Sequence, residues 1–508
     1  MTELLFFLLW CGIIHGSFGT NYPSKSNMEV FDFRSPDVPK WSARTSEWNF
    51  QFVGTKASIV ELARWYKGYY EANKPPLLAG SSRELDTLLG AYAVLWGTTQ
   101  NPFFSQKYKE LILNLSDREF FFSGLSVDPT VGNDFMTSYL WLREQGIFTE
   151  DEQKRIEAWM LKLKDAMQFP LQEANWGRLP QLAKALELHF PDEAKAIWKS
   201  IPKEGVSFDT RHRWENDAFA YDRIWLKHAY YYARTVRPEL IGGANHRKAA
   251  DWFLAQWTPN GMQPCYGDQT GASLWDANTP EWLAAHALKD GRLKWLAIKI
   301  LQSALQNNQL REQGAQPALF QLWMNADDSL KPVKPEIGSV ALRFPDGSGD
   351  KLVFRSGWED DDAYLLLDLV GTRGHGHVDQ NNAAFLLWRG KPWLIDSNYG
   401  IASTQEHNVL AIDTLQRAGI SQVSVFRDFG PLAIGGAIAS NYLSSGFDWE
   451  RVVLFKNGGP IVIVDRVLAK ESGKHDLSLL WHIKGELFHQ EARAFSFKQG
   501  EESLHLLC

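Results

Sequence analysis

Apolar residues recur along the first two-thirds of the chain at helical spacing. Ile59, Leu62, Ala63, Tyr66 and Tyr70 fall at i, i+3, i+4, i+7 and i+11. Leu85, Leu88, Leu89, Tyr92 and Trp96 repeat that spacing. So do Ile156, Trp159, Met160, Leu163 and Met167, and again Leu179, Leu182, Ala183, Leu186 and Phe190. Each set draws one apolar stripe down one face of a helix, so residues from about 55 to 325 are predicted to be mainly amphipathic helices. Start signals agree: Ser81-x-x-Glu84 and Thr149-x-x-Glu152 are capping boxes, and Thr279-Pro280 reads as a cap followed by a first-turn proline. The segments share a template but no strict period, which argues against a sequence-regular solenoid. Residues 20–50, rich in Pro, Ser and Asn without period, read as irregular.

The pattern changes at Asn325–Pro335, where Asp-Asp-Ser and two prolines occur; a domain boundary is expected there. Beyond it the β-rich runs Val340–Phe344, Lys351–Arg355, Tyr364–Val370, Ala383–Trp388, Arg451–Phe455, Ile461–Val467 and Leu477–Ile483 predict strands. Asp346-Gly347 and Asn457-Gly458-Gly459 read as hairpin turns. The expectation is an antiparallel β-sandwich behind a helical domain. A chain of 508 residues can bury more than one core.

One stretch of the second part concentrates polar chemistry. Gly374-His375-Gly376-His377-Val378-Asp379 leads into the apolar run Ala383–Trp388, a Gly390-Lys391-Pro392 turn and a return strand at Trp393–Ile395. Two histidines two apart on an extended segment share a face. The hairpin brings Asp396 back beside them, and His407-Asn408 follows after a short loop. Imidazoles and a carboxylate converging on one sheet edge suit zinc, or suit proton transfer.

Composition narrows the partners. A net charge of −7 argues against a nucleic-acid binder and gives no global attraction for a polyanion, so any positive field for one must be local. The 22 tryptophans are an excess; in a sugar enzyme some would be stacking platforms, although most Trp in any large domain are core or half-buried packing. Leu4–Ile14 is apolar but too short to span a bilayer, and with small Ser17 and Gly19 behind it residues 1–19 read as a secretory signal. No other run is apolar enough to span, so a secreted or periplasmic location is expected. Cys265 and Cys508 would remain after cleavage, with no statement from sequence on whether they pair, and Asn114-Leu115-Ser116 is a glycosylation sequon.

The His-x-His-x-Asp step, the strand, the glycine, Asp396-Ser397 and His407-Asn408 together resemble the signature of heparinase II/III-like polysaccharide lyases. The resemblance is close over this stretch and loose over most of the chain. It implies an incomplete (α/α) toroid, residues 20–328, followed by an antiparallel β-sandwich, residues 336–508. It implies β-elimination on a uronic-acid-containing, anionic polysaccharide without an organic cofactor. Uronic-acid C5 epimerisation, as in dermatan sulfate epimerase, is an alternative that the same signature resembles. A non-catalytic carbohydrate-binding protein is another, though it would not require the histidines.

Residue by residue, the resemblance implies these roles. Asn175, beside Trp176 and ahead of a helix expected near Leu179, matches the asparagine that neutralises the substrate carboxylate. Tyr221 matches the catalytic tyrosine, acid or acid/base, and His375 its partner base or orienter. Tyr266, after the turn Pro259-Asn260-Gly261, is the rival tyrosine on what reads as a loop at the cleft rim. Trp176, Arg211, Arg213, Trp214, Asn216, Tyr266 and Arg373 are the candidate substrate contacts. His377, Asp396 and His407 match a zinc-type site whose role in that family is chiefly structural. A hydrolase would instead need paired carboxylates, for which Glu215 and Asp217 are unmarked candidates. Asn133-Asp134 and Tyr139-Leu140-Trp141 are expected to pack helices.

Overall fold

The predicted stripes bury themselves by closing a ring. The computed structural model describes residues 51–73, 82–116, 133–166, 172–201, 218–269, 277–306, 317–371, 379–396, 404–413, 419–442, 446–470, 472–491 and 493–507. Among them twelve α-helices come first. They are α1 (Lys56–Asn73), α2 (Ser82–Thr99), α3 (Pro102–Ser116), α4 (Asn133–Glu144), α5 (Glu150–Ala166) and α6 (Gln172–Leu186). They continue as α7 (Pro191–Ser200), α8 (Phe219–Val236), α9 (Ala244–Gln256), α10 (Thr279–Leu288), α11 (Gly291–Gln306) and α12 (Leu319–Asn325).

The even-numbered helices touch in succession, α2 to α4, α6, α8, α10 and α12, and α12 returns to α2; the odd-numbered helices lie outside them. This is an (α/α) toroid whose last inner member, α12, is only seven residues long. Asp134, at the start of α4, closes it: its carboxylate accepts the backbone N–H groups of Phe320 and Gln321 at 3.0 and 2.9 Å, capping α12. Gly90 is required there, because a Cβ would meet that carboxylate at 2.1 Å. Neighbouring inner helices meet near their starts: Asp86 of α2 accepts the N–H of Phe135 in α4, Arg223 of α8 pairs with Glu281 of α10, and Asp134 caps α12, so these N-termini share one face.

The capping box at Thr149 forms, Thr149 N–H to Glu152 at 2.8 Å and the reverse bond at 3.3 Å. The cap of α10 falls one residue earlier than predicted, on Asn278, with Thr279 already helical. Thr279 Oγ1 instead accepts the N–H of Ala318, ahead of α12.

Strands follow the helices. β1 (Val340–Arg343), β2 (Gly349–Arg355), β3 (Tyr364–Asp368), β4 (Asn382–Trp388) and β5 (Lys391–Ile395) form an antiparallel meander in that order. β6 (Leu410–Ile412) pairs later with β11 (Leu477–Leu479). β7 (Gln422–Asp428), β8 (Leu432–Tyr442), β9 (Phe447–Lys456) and β10 (Ile461–Ala469) make a second antiparallel sheet, and β12 (Glu486–Glu491), β13 (Ala494–Gln499) and β14 (Glu502–Leu507) a third. The predicted turns Asp346-Gly347 and Asn457-Gly458 join β1 to β2 and β9 to β10, with Gly347 and Gly458 at φ +85° and +63°. The turn of the β4–β5 hairpin is Arg389-Gly390, both at positive φ, and Lys391-Pro392 already belong to the return strand.

The central strands of the first sheet, β2, β3 and β4, are buried on both faces. Along β3, Leu366 joins the apolar core of the toroid, while Leu365 and Leu367 pack with Ala433, Ala437, Val453 and Phe455 of the second sheet. That is why these strands read as unbroken apolar runs rather than alternating ones. Polar pins lock the toroid onto this sheet. Tyr364 donates to the carbonyl of Gln256 at 2.5 Å, Trp252 Nε1 donates to Asp350 at 2.6 Å, and Arg355 donates to the carbonyl of Ala255. Among the described residues, no helix is long and apolar enough to cross a membrane.

Candidate functional site

The β4–β5 hairpin assembles a buried polar cluster at its open end. Asn382, the first residue of β4, donates from Nδ2 to Asp396 Oδ2 at 2.7 Å and accepts the N–H of Asn408 at 3.0 Å. Asn408 Nδ2 bonds the carbonyl of Ile395 at 3.2 Å. Arg451 fastens the frame by donating to the carbonyls of Asn381 and Asn408, while its own charge is met by Asp465. Asn381 sits at φ +56°, a left-handed position that asparagine tolerates better than most residues. Within this frame His407 Nδ1 lies 2.8 Å from Asp396 Oδ1, both side chains fully buried. Asp379 completes the group: one ligand-type atom from each of Asp379, Asp396 and His407 lies within 4.8 Å of the others.

Burial pushes the Asp379 carboxyl well above the usual carboxylate range, with only partial relief from His407. Burial would lower His407, but the Asp396 charge and hydrogen bond outweigh it and raise the imidazole to about 9. The donor set fits a small dication. Asp396 engages Nδ1 of His407, so an ion shared by the two would take the place of the hydrogen on that contact, with an oxygen of Asp379 as the third donor. Two carboxylates and an imidazole suit zinc. The hairpin therefore brings Asp396 and His407 together as predicted. It also adds Asp379, the carboxylate of the His-x-His-x-Asp step, to which the sequence pattern assigns no role.

The toroid side is built from the first turns of α6 and α8, which are adjoining inner helices. Gly177, in the second turn of α6, lets that helix lie close against the third turn of α8, since a Cβ there would meet His228 at 2.7 Å. Asn175 and Trp176 lie in the first turns of α6, which starts at Gln172 rather than near Leu179, so Asn175 is inside a helix and does not cap one. Tyr221 lies in the first turn of α8, half-buried, and its hydroxyl donates to Asp268 Oδ2 at 2.9 Å.

Asp268 belongs to the loop 263–269, which joins the two halves of the site. Gln269 accepts the N–H of Ala220 at the start of α8 at 3.0 Å and donates to the carbonyl of Pro264 at 2.8 Å. Cys265 donates its thiol to the backbone carbonyl of Asp396. One short loop thus touches Tyr221 through Asp268 and the histidine cluster through Cys265. It is not the surface rim that its turn signal predicts: residues 263–269 are all buried.

Tyr266 is accordingly no substrate contact. It is 1 % exposed, its hydroxyl donates to Gln256 Oε1 at 2.9 Å, and the Lys351 ammonium lies 4.7 Å from its ring centroid. Burial pushes its phenol far above 10. Cys265 is a free, buried thiol, raised by burial and by the Asp396 charge. Arg211, Arg213, Trp214, Asn216, Arg373, His375 and His377, with Glu215, Asp217 and residues 1–19, lie outside the described residues, as do the side chains of Asn175 and Trp176. No local pattern in the sequence marks Asp268 or gives Cys265 a part in the site, although both lie within two residues of Tyr266.

No protein-family model matches the sequence. No curated protein matches it either. Solved structures do. A heparinase III gene product superposes with a TM-score of 0.51 at 13% identity, over 82% of this chain and 68% of that one. The same gene product with methylated lysines gives 0.50 at 14% identity, over the same shares. The heparan sulfate lyase HepC of Pedobacter heparinus aligns over 82% of this chain and 67% of its own at 13% identity, with a TM-score of 0.34 that adds nothing to the assignment. The fold is that of heparinase III, a helical toroid followed by antiparallel sheets.

Proposed function

We propose that this protein is a polysaccharide lyase that cuts a uronic-acid-containing polysaccharide by β-elimination. The observation that carries the reading is the 263–269 loop. In a heparinase III fold, it ties the Tyr221 phenol of the toroid to the Asp379/Asp396/His407 cluster of the sheet. The chemistry asks for such a pairing. The C5 proton of a uronate lies next to a charged carboxylate and is barely acidic, so the developing enolate-like charge needs a donor. A base must take the proton, and an acid must protonate the O4 leaving group.

In this reading Tyr221 is the acid/base, and Asn175, on the neighbouring inner helix, is the donor to the substrate carboxylate. His375, four residues before Asp379, is the partner base or orienter. Arg211, Arg213 and Arg373, with Trp176, Trp214 and Asn216, are the proposed substrate contacts that would supply local positive charge and stacking. A zinc ion held by Asp396 and His407, with Asp379 or His377, would stiffen the sheet edge on which His375 is carried. The substrate class is an anionic polysaccharide, the kind that the printed names of the similar structures describe, and the protein would act after export.

The test is a screen of purified protein on heparan sulfate, heparin, chondroitin, hyaluronan, alginate and ulvan. A lyase produces ultraviolet absorbance from a new C4=C5 bond with at least one polymer. Inversion at C5 without cleavage, or no product with any of them, overturns the reading.

A further inference from the structure

A tyrosine that serves first as base and then as acid faces a difficulty: its oxygen already holds a proton. The structure shows where that proton points. Tyr221 donates it to Asp268 Oδ2 at 2.9 Å, and Asp268 is 2 % exposed while Tyr221 is half-buried, so the carboxylate stands behind the phenol on its inner side. Burying a carboxylate is costly unless charged or hydrogen-bonding partners meet it. The loop that holds it is built for the purpose: Gln269 is bonded to the first turn of α8 and to the carbonyl of Pro264, and Gly267 turns the chain at φ +63° between them.

We propose that Asp268 is the positioning residue through which Tyr221 performs both proton transfers. This rests on the lyase reading of the same site. As the C5–H bond breaks, its proton bonds to the Tyr221 oxygen, and the proton that oxygen held passes to Asp268 Oδ2. The C5 electron pair forms the C4=C5 bond, and the C4–O4 bond breaks with its electrons on O4. Tyr221 then gives its proton to O4 and recovers one from Asp268. The net change is transfer of one proton from C5 to O4, with Tyr221 and Asp268 restored. The Tyr221 phenol never has to exist as a free phenolate, because the two transfers on its oxygen are concerted.

The variants are Asp268→Asn, Asp268→Glu, Tyr221→Phe and the Asp268→Asn/Tyr221→Phe pair. They are assayed on the polymer that the screen identifies, with melting recorded for each. Asparagine keeps an oxygen to accept the phenol hydrogen bond but cannot take the proton. Asp268→Asn should therefore melt with the parent and keep its KM while kcat falls at least about a hundredfold, as for loss of acid–base catalysis. Glutamate should restore part of kcat, and the double variant should be no slower than Tyr221→Phe alone. If Asp268→Asn keeps kcat while Tyr221→Phe is dead, the relay is overturned and the tyrosine reading stands. If Asp268→Asn loses kcat only by melting lower, or the two losses multiply, Asp268 is merely structural and the relay is overturned. If both single variants turn over like the parent, the relay and the tyrosine assignment fall together, though a lyase using another acid survives. If the parent yields no unsaturated product on any polymer, the lyase reading itself fails and takes the relay with it.

Discussion

Cys265 donates its thiol to the backbone carbonyl of Asp396 across 131 positions of sequence, joining the toroid to the sheet at the residue that orients His407. The thiol is fully buried, and burial together with the Asp396 charge raises its pKa, so almost none of it is thiolate. Thiolate is the reactive form. A disulfide reagent should therefore modify Cys265 only after denaturation. Rapid labelling of this residue in the native protein, read by peptide mass, would mean that the loop opens.

Lys351 is a buried cation of the interface, 2.8 Å from Asp350 and 2.9 Å from Asp368. Those two charges overcome the burial that would otherwise lower its pKa, and hold it raised. Lys351→Met removes the cation and leaves two buried carboxylates facing each other. Breaking a buried pair from one side costs about 3–5 kcal/mol. Urea unfolding should show a loss of that order, and Asp350→Asn/Asp368→Asn on the Lys351→Met background should recover part of it. A loss below about 1 kcal/mol would mean that the pair is solvated.

Much of this architecture is legible in the sequence, and the exceptions have physical causes. The helices declare themselves because each lays one apolar stripe against the ring. β2, β3 and β4 declare themselves because they are covered on both faces. β8 does not, since Gly435 and Gly436 break its β-rich run; Gly435 is needed because a Cβ there would meet the Phe354 ring at 2.7 Å. β12 is exposed at all six positions and so shows no alternation of burial. In the site, Asp396 and His407 are legible because one hairpin joins them. The Tyr221–Asp268 bond spans 47 positions, and it depends on ring closure and on docking of the sheet, which no local pattern encodes.

Two histidines set an acid limit on stability. His246 and His286 are both lowered to about 4, chiefly by burial, with Arg247 adding to the first and Lys294 to the second. A histidine whose folded pKa lies below its unfolded value contributes stability that is present above about 6.5 and is lost as pH falls toward 4, because the unfolded chain takes up the proton first. Each contributes on the order of 3 kcal/mol over that window. Melting temperature should fall between pH 6.5 and 4, and His286→Gln should flatten the decline. An unchanged slope in that variant would show that His286 titrates normally in the fold.

The zinc assignment is checked by metal analysis of purified protein. Asp396→Asn and His407→Ala should each lose bound zinc and melt lower, since both removals strip a donor from one buried cluster. Asp379→Asn separates the two candidate ligand sets: loss of zinc makes Asp379 a ligand, and retention leaves that place to His377. Full zinc content in His407→Ala would dismiss the site.

The two tyrosines make opposite predictions from one substitution. Tyr221→Phe deletes a hydroxyl that is half-buried, bonded to Asp268 and placed in the first turn of α8. Folding should survive, since one hydrogen bond contributes about 1 kcal/mol net, while turnover falls about a hundredfold or more. Tyr266→Phe deletes a hydroxyl that bonds Gln256 in the packed interface, where a phenol raised far above 10 and sealed from solvent cannot exchange protons with substrate. It leaves the Gln256 oxygen without that donor, so the melting temperature should drop, by the equivalent of about 1–3 kcal/mol, while kcat stays near the parent value. Absorbance of the unsaturated product and thermal melting, run on the same two preparations, decide the matter. An inactive Tyr266→Phe with parental melting, next to an active Tyr221→Phe, would move the acid/base role to Tyr266 and require the 263–269 loop to open during turnover.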